Sequence, residues 1–126
     1  MNLKILDGEY SIHRFDAKNK LPTEALTGNL LSITRTEDEL SIVCDTNIDI
    51  ESEKSESGWA CMKVLGPLDF GLTGILAKIA SVLAEAEISI FAISTYDTDY
   101  ILVKKDKLNL AKERLSYAGY IFTPTV

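Results

Sequence analysis

The sequence is poor in the side chains on which most catalysis depends. Its 126 residues include one histidine, His13, and two cysteines, Cys44 and Cys61. Neither cysteine has a second Cys or a His at the short spacings that metal sites use, and both lie in apolar runs, where a free thiol behaves as a small buried hydrophobe. One histidine without a partnered nucleophile makes no catalytic set, so His13 is read as structural or solvated. A P-loop lysine motif, a dinucleotide fingerprint before a helix and paired His ligands are all missing. Basic charge is scarce as well. Thirteen Lys and Arg face nineteen Asp and Glu, a net charge of −6 and a pI near 4.7, which argues against a nucleic-acid surface built on clustered cations. Long hydrophobic runs are absent: none approaches the ~18 apolar residues of a membrane span, and Met1–Ile5 lacks the apolar run of a secretory signal. The expectation is a cytoplasmic protein with no metal, no cofactor, and no nucleic-acid or membrane partner. A chain this short also leaves no room for a separate substrate domain, which disfavours an enzyme built on a large cofactor fold.

What is present is patterned most clearly in the second half. Trp59–Leu65 has strand composition and ends at the turn pair Gly66-Pro67. After Gly71, Leu72, Ile75, Leu76, Ile79, Val82, Leu83 and Ala86 fall on one stripe at helical spacing, predicting an amphipathic helix of about fifteen residues. Ile88–Thr95 is β-branched and aromatic enough for a strand, Tyr96–Asp99 forms a turn, and Tyr100–Val103 returns antiparallel. A second helix carries Leu108, Ala111, Leu115 and Ala118 on one face and stops at Gly119, placed for a left-handed terminus. Its cations, Lys104, Lys105, Lys107, Lys112 and Arg114, alternate with Asp106 and Glu113 and read as a solvated face. Tyr120–Phe122 closes as a short strand. Strand, helix, strand, strand, helix, strand is the order of the ferredoxin-like split βαβ unit, a four-stranded antiparallel sheet with two helices on one face.

Residues 59–126 fill that unit, so residues 1–58 form a second half. There, Leu3–Leu6 and Tyr10–Phe15 read as a hairpin closed by Asp7-Gly8. Pro22–Leu26 suits only a brief helical turn, and Leu30–Arg35 with Leu40–Val43 forms another hairpin. At an offset of 60 positions this later hairpin matches 92–103, as a degenerate tandem repeat would require. The polar, acidic stretch Ile50–Gly58 reads as a flexible connector.

The runs Leu68-Asp69-Phe70-Gly71-Leu72-Thr73-Gly74-Ile75, Ala80–Ile90 and Ile93–Val103 resemble the ACT domain, the amino-acid-binding regulatory module of aspartate kinases. The likeness extends to small tandem ACT proteins related to the ACT pairs of cytosolic arginine sensors. It implies an α+β fold of two tandem ACT-like units, a degenerate one over 1–58 and a full one over 59–126. Aspartate kinase ACT domains commonly carry Asn just after the first helix, and Ser89 stands at that position here.

The loop before the first helix also suits a ligand on physical grounds. Gly66, Gly71 and Gly74 allow close backbone approach, and the helix start offers N–H groups and a positive dipole end to an α-carboxylate. Asp69 is the anion nearest in sequence for an ammonium, though it also has the chemistry to cap the helix. The candidate ligand-binding set is Leu68, Asp69, Phe70, Gly71, Leu72, Ser89, Ser94 and Thr95. The resemblance implies a non-catalytic amino-acid-binding sensor or regulator, a homodimer with its ligand between ACT units, acting on a protein partner. The other reading is an ACT-fold interaction module with no small-molecule ligand.

Overall fold

A computed structural model of the chain describes residues 1–65 and 73–124. These divide into two compact units, one of Gly8–Trp59 and one that joins Met1–Asp7 to Ala60–Val126. The expected 1–58 and 59–126 halves therefore differ from the observed packing at the amino end, where the first strand belongs with the later residues.

The larger unit contains β1 (Asn2–Ile5), the second part of β5 (Lys54–Val64), α1 (Ile75–Glu85), β6 (Ile90–Ser94), β7 (Asp99–Lys104), α2 (Leu108–Tyr117) and β8 (Ile121–Thr123). From β5 onward this is the anticipated βαββαβ order. The sheet has an extra strand, however. β1 pairs antiparallel with β5, Leu3 opposite Val64, and parallel with β8, Leu3 opposite Phe122. It thus lies between the two strands that a four-stranded split βαβ sheet would place side by side. β7 pairs with β5 and with β6 on the other flank. Alternate residues Met62 and Val64 of β5 and Ile101 and Val103 of β7 share one core with Leu3, Ile79 and Leu83 of α1, and Ala111 and Leu115 of α2. Since side chains alternate across a strand, both helices cover the same face of the sheet.

The helix ends explain where each helix stops. After α2, Gly119 adopts φ +103, and the N–H groups of Gly119 and Tyr120 donate to the carbonyls of Ser116 and Leu115. That is the Schellman arrangement foreseen from the glycine. α1 ends in the same way on a non-glycine residue: Glu87 has φ +59, Glu87 N–H donates to Ala84, and Ile88 N–H to Leu83. At its start, α1 is shorter than the predicted fifteen residues. Gly74, at φ +78, precedes Ile75 without a side-chain cap, leaving eleven helical residues; Leu72 of the predicted stripe lies outside the described residues.

The smaller unit orders its strands β3 (Ser32–Arg35), β4 (Leu40–Asp45), β2 (Tyr10–Phe15) and the first part of β5. Its core gathers Phe15, Ala25, Leu40, Ile42 and Cys44, with Leu31, Ile48 and Ile50 against them. A 3-10 turn at Thr23–Leu26 is its only helical element, and the irregular stretch bearing Ile48 and Ile50 stands where a second helix would be. The anticipated degeneracy is a loss of helices with the strand plan kept.

Two local expectations give way to long-range pairing. β1 and β2 do not form a hairpin, because each pairs antiparallel with β5. Residues 54–58 are strand and not flexible connector: Lys54, Ser55 and Glu56 pair with Arg14, His13 and Ile12. Their side chains are exposed, so the apolar alternation that marks a strand is missing from the sequence.

The repeat is present, but one residue off the expected offset. Arg35 faces Leu40 across the first hairpin and Ser94 faces Asp99 across the second, 59 positions apart. In both turns a threonine N–H donates to the carbonyl three residues on, Thr36 to Glu39 and Thr95 to Thr98, with that same threonine's hydroxyl accepting from the returning N–H. Burial agrees, since 42–44 are buried in β4 and 101–103 in β7. A one-residue slip would turn every side chain to the opposite face, so only this offset preserves the core. It also aligns Gly28, at φ +96, with Glu87.

Candidate functional site

Of the predicted ligand set, Leu68, Asp69, Phe70, Gly71 and Leu72 lie outside the described residues. The structure brings Ser94 and Thr95 together and sets Ser89 apart. Ser89 precedes β6 and Thr95 follows it, and at ~3.3 Å per residue the strand separates them by roughly 20 Å. All three are exposed. The Ser94 hydroxyl donates to Asp99 Oδ1 across the strand pair, and Thr95 Oγ1 donates to the Thr98 carbonyl at 3.1 Å. Both hydroxyls therefore hold the β6–β7 turn.

That turn is anchored by a residue the sequence did not single out. Thr98 is 4% exposed, and its hydroxyl donates to the carbonyl of Val64 at 2.5 Å. The bond fixes the turn beside the last residue of β5. On the other flank, Leu65 N–H donates to the Asn2 carbonyl at 3.0 Å, and Ile121 N–H to Met1 at 3.1 Å, so β1 and β8 begin at this same end of the sheet.

Beside the starts of β1 and β8 is a cavity of about 280 Å³, lined by Met1, Thr73, Ile75, Lys78, Ala118, Gly119 and Tyr120. The first turn of α1 and the Schellman end of α2 both border it. Helix geometry leaves N–H groups unpaired at the former, whereas at the latter the carbonyls of Arg114, Leu115 and Ser116 already accept from Ala118, Tyr120 and Gly119. The two helix ends carry partial charges of opposite sign, positive for α1 and negative for α2. Lys78 adds a full positive charge. Burial pushes the Tyr120 phenol above its ordinary value, so it stays neutral near pH 7. The arrangement can receive a small anion-bearing molecule through Lys78 and the α1 amides, with apolar contact from Met1, Ile75 and Tyr120. Lys78 was legible in the sequence only as a residue outside the apolar stripe; nothing local linked it to residues 118–120.

The thiols offer no reactive group. Cys61 is fully buried, and burial pushes it up to about 12; Cys44 is raised by burial and by the Asp45 carboxylate. Among the described residues no cluster of three or more His, Cys, Asp or Glu side chains is arranged to hold a metal ion, and no helix is long and apolar enough to cross a membrane.

Comparison with known proteins agrees with this architecture. The family model described as ACT domain matches residues 54–116, and a second model, described as an N-terminal domain, matches 8–51. A solved structure of an Agrobacterium tumefaciens protein superposes with a TM-score of 0.92 at 39% identity, over 99% of this chain and 93% of that one. The mouse protein named cytosolic arginine sensor for mTORC1 subunit 1 is 32% identical over 105 residues, 71% of this chain and 32% of its own length. Aspartate kinase from Synechocystis shares the fold, with a TM-score of 0.71 at 17% identity over 99% of this chain and 28% of the kinase. The chain spans less than two thirds of the length of the curated relatives it matches.

Proposed function

The chain belongs to the ACT-domain family, and on that premise we propose that it is a non-catalytic amino-acid sensor whose ligand occupies the cavity at the start of α1. The observation that carries this reading is the cavity itself. Its volume of about 280 Å³ sits at the lower edge of the ~300–1,000 Å³ typical of small-molecule pockets, a size suited to a single small metabolite. Lys78 and the first-turn amides complement an α-carboxylate, and the negative dipole end of α2 favours an α-ammonium. Leu68, Asp69, Phe70, Gly71 and Leu72 adjoin Thr73 in the chain and are proposed to complete the site. Ser94 and Thr95 hold the neighbouring turn.

Sensing requires that the ligand prefer one of two arrangements. We propose a homodimer in the cytosol that passes the preference to a partner protein; the mouse relative is by name a cytosolic arginine sensor for mTORC1. Equilibrium dialysis of the full chain against a mixture of all proteinogenic amino acids, with the retained molecules read by mass spectrometry, tests the reading. One or a few amino acids should be enriched. Retention of none at millimolar concentration would refute it in favour of a ligand-free interaction module.

A further inference from the structure

We propose that the free edge of β6 is the dimer surface, pairing antiparallel with β6 of a second copy about a two-fold axis at Ala92. The inference rests on the homodimer of the reading above and names the strand that forms it.

Three strands lie at edges. β3 and β8 end the path that runs through β4, β2, β5 and β1, and among the described residues β6 pairs with β7 alone. A strand edge presents a row of N–H and C=O groups to any other chain, and edges that are not used are blunted by short length, charge, proline or a bulge. β8 has three residues and runs into Pro124. β3 has four and ends on Arg35. β6 has five, Ile90-Phe91-Ala92-Ile93-Ser94, with neither charge nor proline. Its register with β7 is unbroken from Ile90 opposite Val103 to Ser94 opposite Asp99, so no bulge turns the edge away.

The order of side chains along β6 fits a copy of itself. An isologous contact is self-complementary, and centred on Ala92 it sets Phe91 opposite Ile93 of the second copy, Ile90 opposite Ser94, and Ala92 opposite Ala92. Aromatic and β-branched residues make favourable cross-strand pairs, whereas like charges directly opposite destabilise them; β6 has no charge for the axis to repeat. Phe91 and Ile93 lie on the sheet face away from the helices, because they pair with Leu102 and Tyr100 while Ile101 and Val103 face the helical core. Both are half-buried in the single chain, and pairing covers more of their apolar surface. At the axis, where one side chain must appear twice, stands the small, exposed Ala92. The same register brings Ser89 of one copy alongside Thr95 of the other, two candidate residues that the length of β6 holds apart within one chain.

The test measures the mass of the full chain by sedimentation equilibrium at micromolar concentration, for wild type, Ala92→Lys and Thr34→Lys. Wild type should sediment at twice 13.9 kDa. Ala92→Lys sets two ammonium groups against each other on the axis and should sediment as a single chain, while Thr34→Lys, on the edge strand β3, should leave the dimer intact. Both positions are exposed, so the circular dichroism of each variant should stay native. Ala92→Cys gives a second reading: a short bismaleimide should link two chains through it, with Cys44 and Cys61 buried, and should not link Thr34→Cys. A wild type that sediments as a single chain would overturn the β6 pairing and the homodimer together. A dimer that persists in Ala92→Lys and is not linked in Ala92→Cys would overturn the β6 pairing and leave the homodimer standing. Amino-acid sensing is read separately, by the dialysis above.

Discussion

Thr98→Val removes one hydroxyl and keeps the shape of the side chain. In the native fold that hydroxyl donates to the Val64 carbonyl, with Thr98 4% and Val64 0% exposed, so water has no ready access to the carbonyl that the variant strands. An unmet buried acceptor costs about 1–3 kcal/mol. With a urea slope of about 2 kcal/mol per M, the middle of the usual range, the unfolding midpoint should fall by roughly 0.5–1.5 M, and the melting temperature by some degrees. The sole tryptophan, Trp59, lies on β5 five residues before Val64 and is buried, so its fluorescence reports loss of that strand directly. Thr95→Val is the control. Thr95 Oγ1 serves an exposed turn, where water replaces a lost partner, and should cost less than ~1 kcal/mol. The reasoning fails if Thr98→Val unfolds within ~0.3 kcal/mol of wild type, or if Thr95→Val costs more than Thr98→Val.

Two further predictions concern ionisation and the helix terminus. Ser52 Oγ donates to the Lys54 carbonyl at 3.0 Å, so at 2.9 Å it must accept from His13 Nδ1–H, and burial pushes the imidazole below its ordinary value of 6.5. Because the unfolded chain binds the proton first, this histidine's contribution to stability is present above pH 6.5 and is lost as pH falls below it. The proton NMR titration of the one histidine should show a midpoint below 6.5 in the native protein and near 6.5 in urea; a native midpoint at or above 6.5 would refute the burial argument. Glu87→Gly should raise stability by about 0.5–1 kcal/mol, since φ +59 penalises a side chain more than the added chain entropy costs. Gly28→Ala, at the matching position of the smaller unit, should lower stability, its new Cβ falling 2.9 Å from the Asp45 carboxyl. Urea unfolding of both variants checks the pair, and a change of the same sign in both would count against the alignment of the two positions.

The sequence by itself determined what depends on near neighbours. The stripe Ile75, Leu76, Ile79, Val82 and Leu83 specifies α1, Gly119 ends α2 through its freedom at positive φ, and the alternation in Ile101-Leu102-Val103 marks a strand. Together with the likeness of Leu68–Ile75 and Ile93–Val103 to ACT domains, these were enough for the fold class. The threonines that open the two hairpin turns were legible too, but their register was not. Short apolar strands match almost equally well at 59 or 60 positions, and only the partner strand and the core decide which face is buried. β1 was misread for a similar reason: Asp7-Gly8 is a strong local turn signal, while the pairing of Leu3 with Val64 and Phe122 spans most of the chain and leaves no mark in four residues. The cavity is the extreme case. Lys78 and Tyr120 are 42 positions apart, and the tertiary structure alone decides that the start of one helix and the end of another border a single hollow, because helices packed on one face of a sheet bring together ends that the chain keeps far apart.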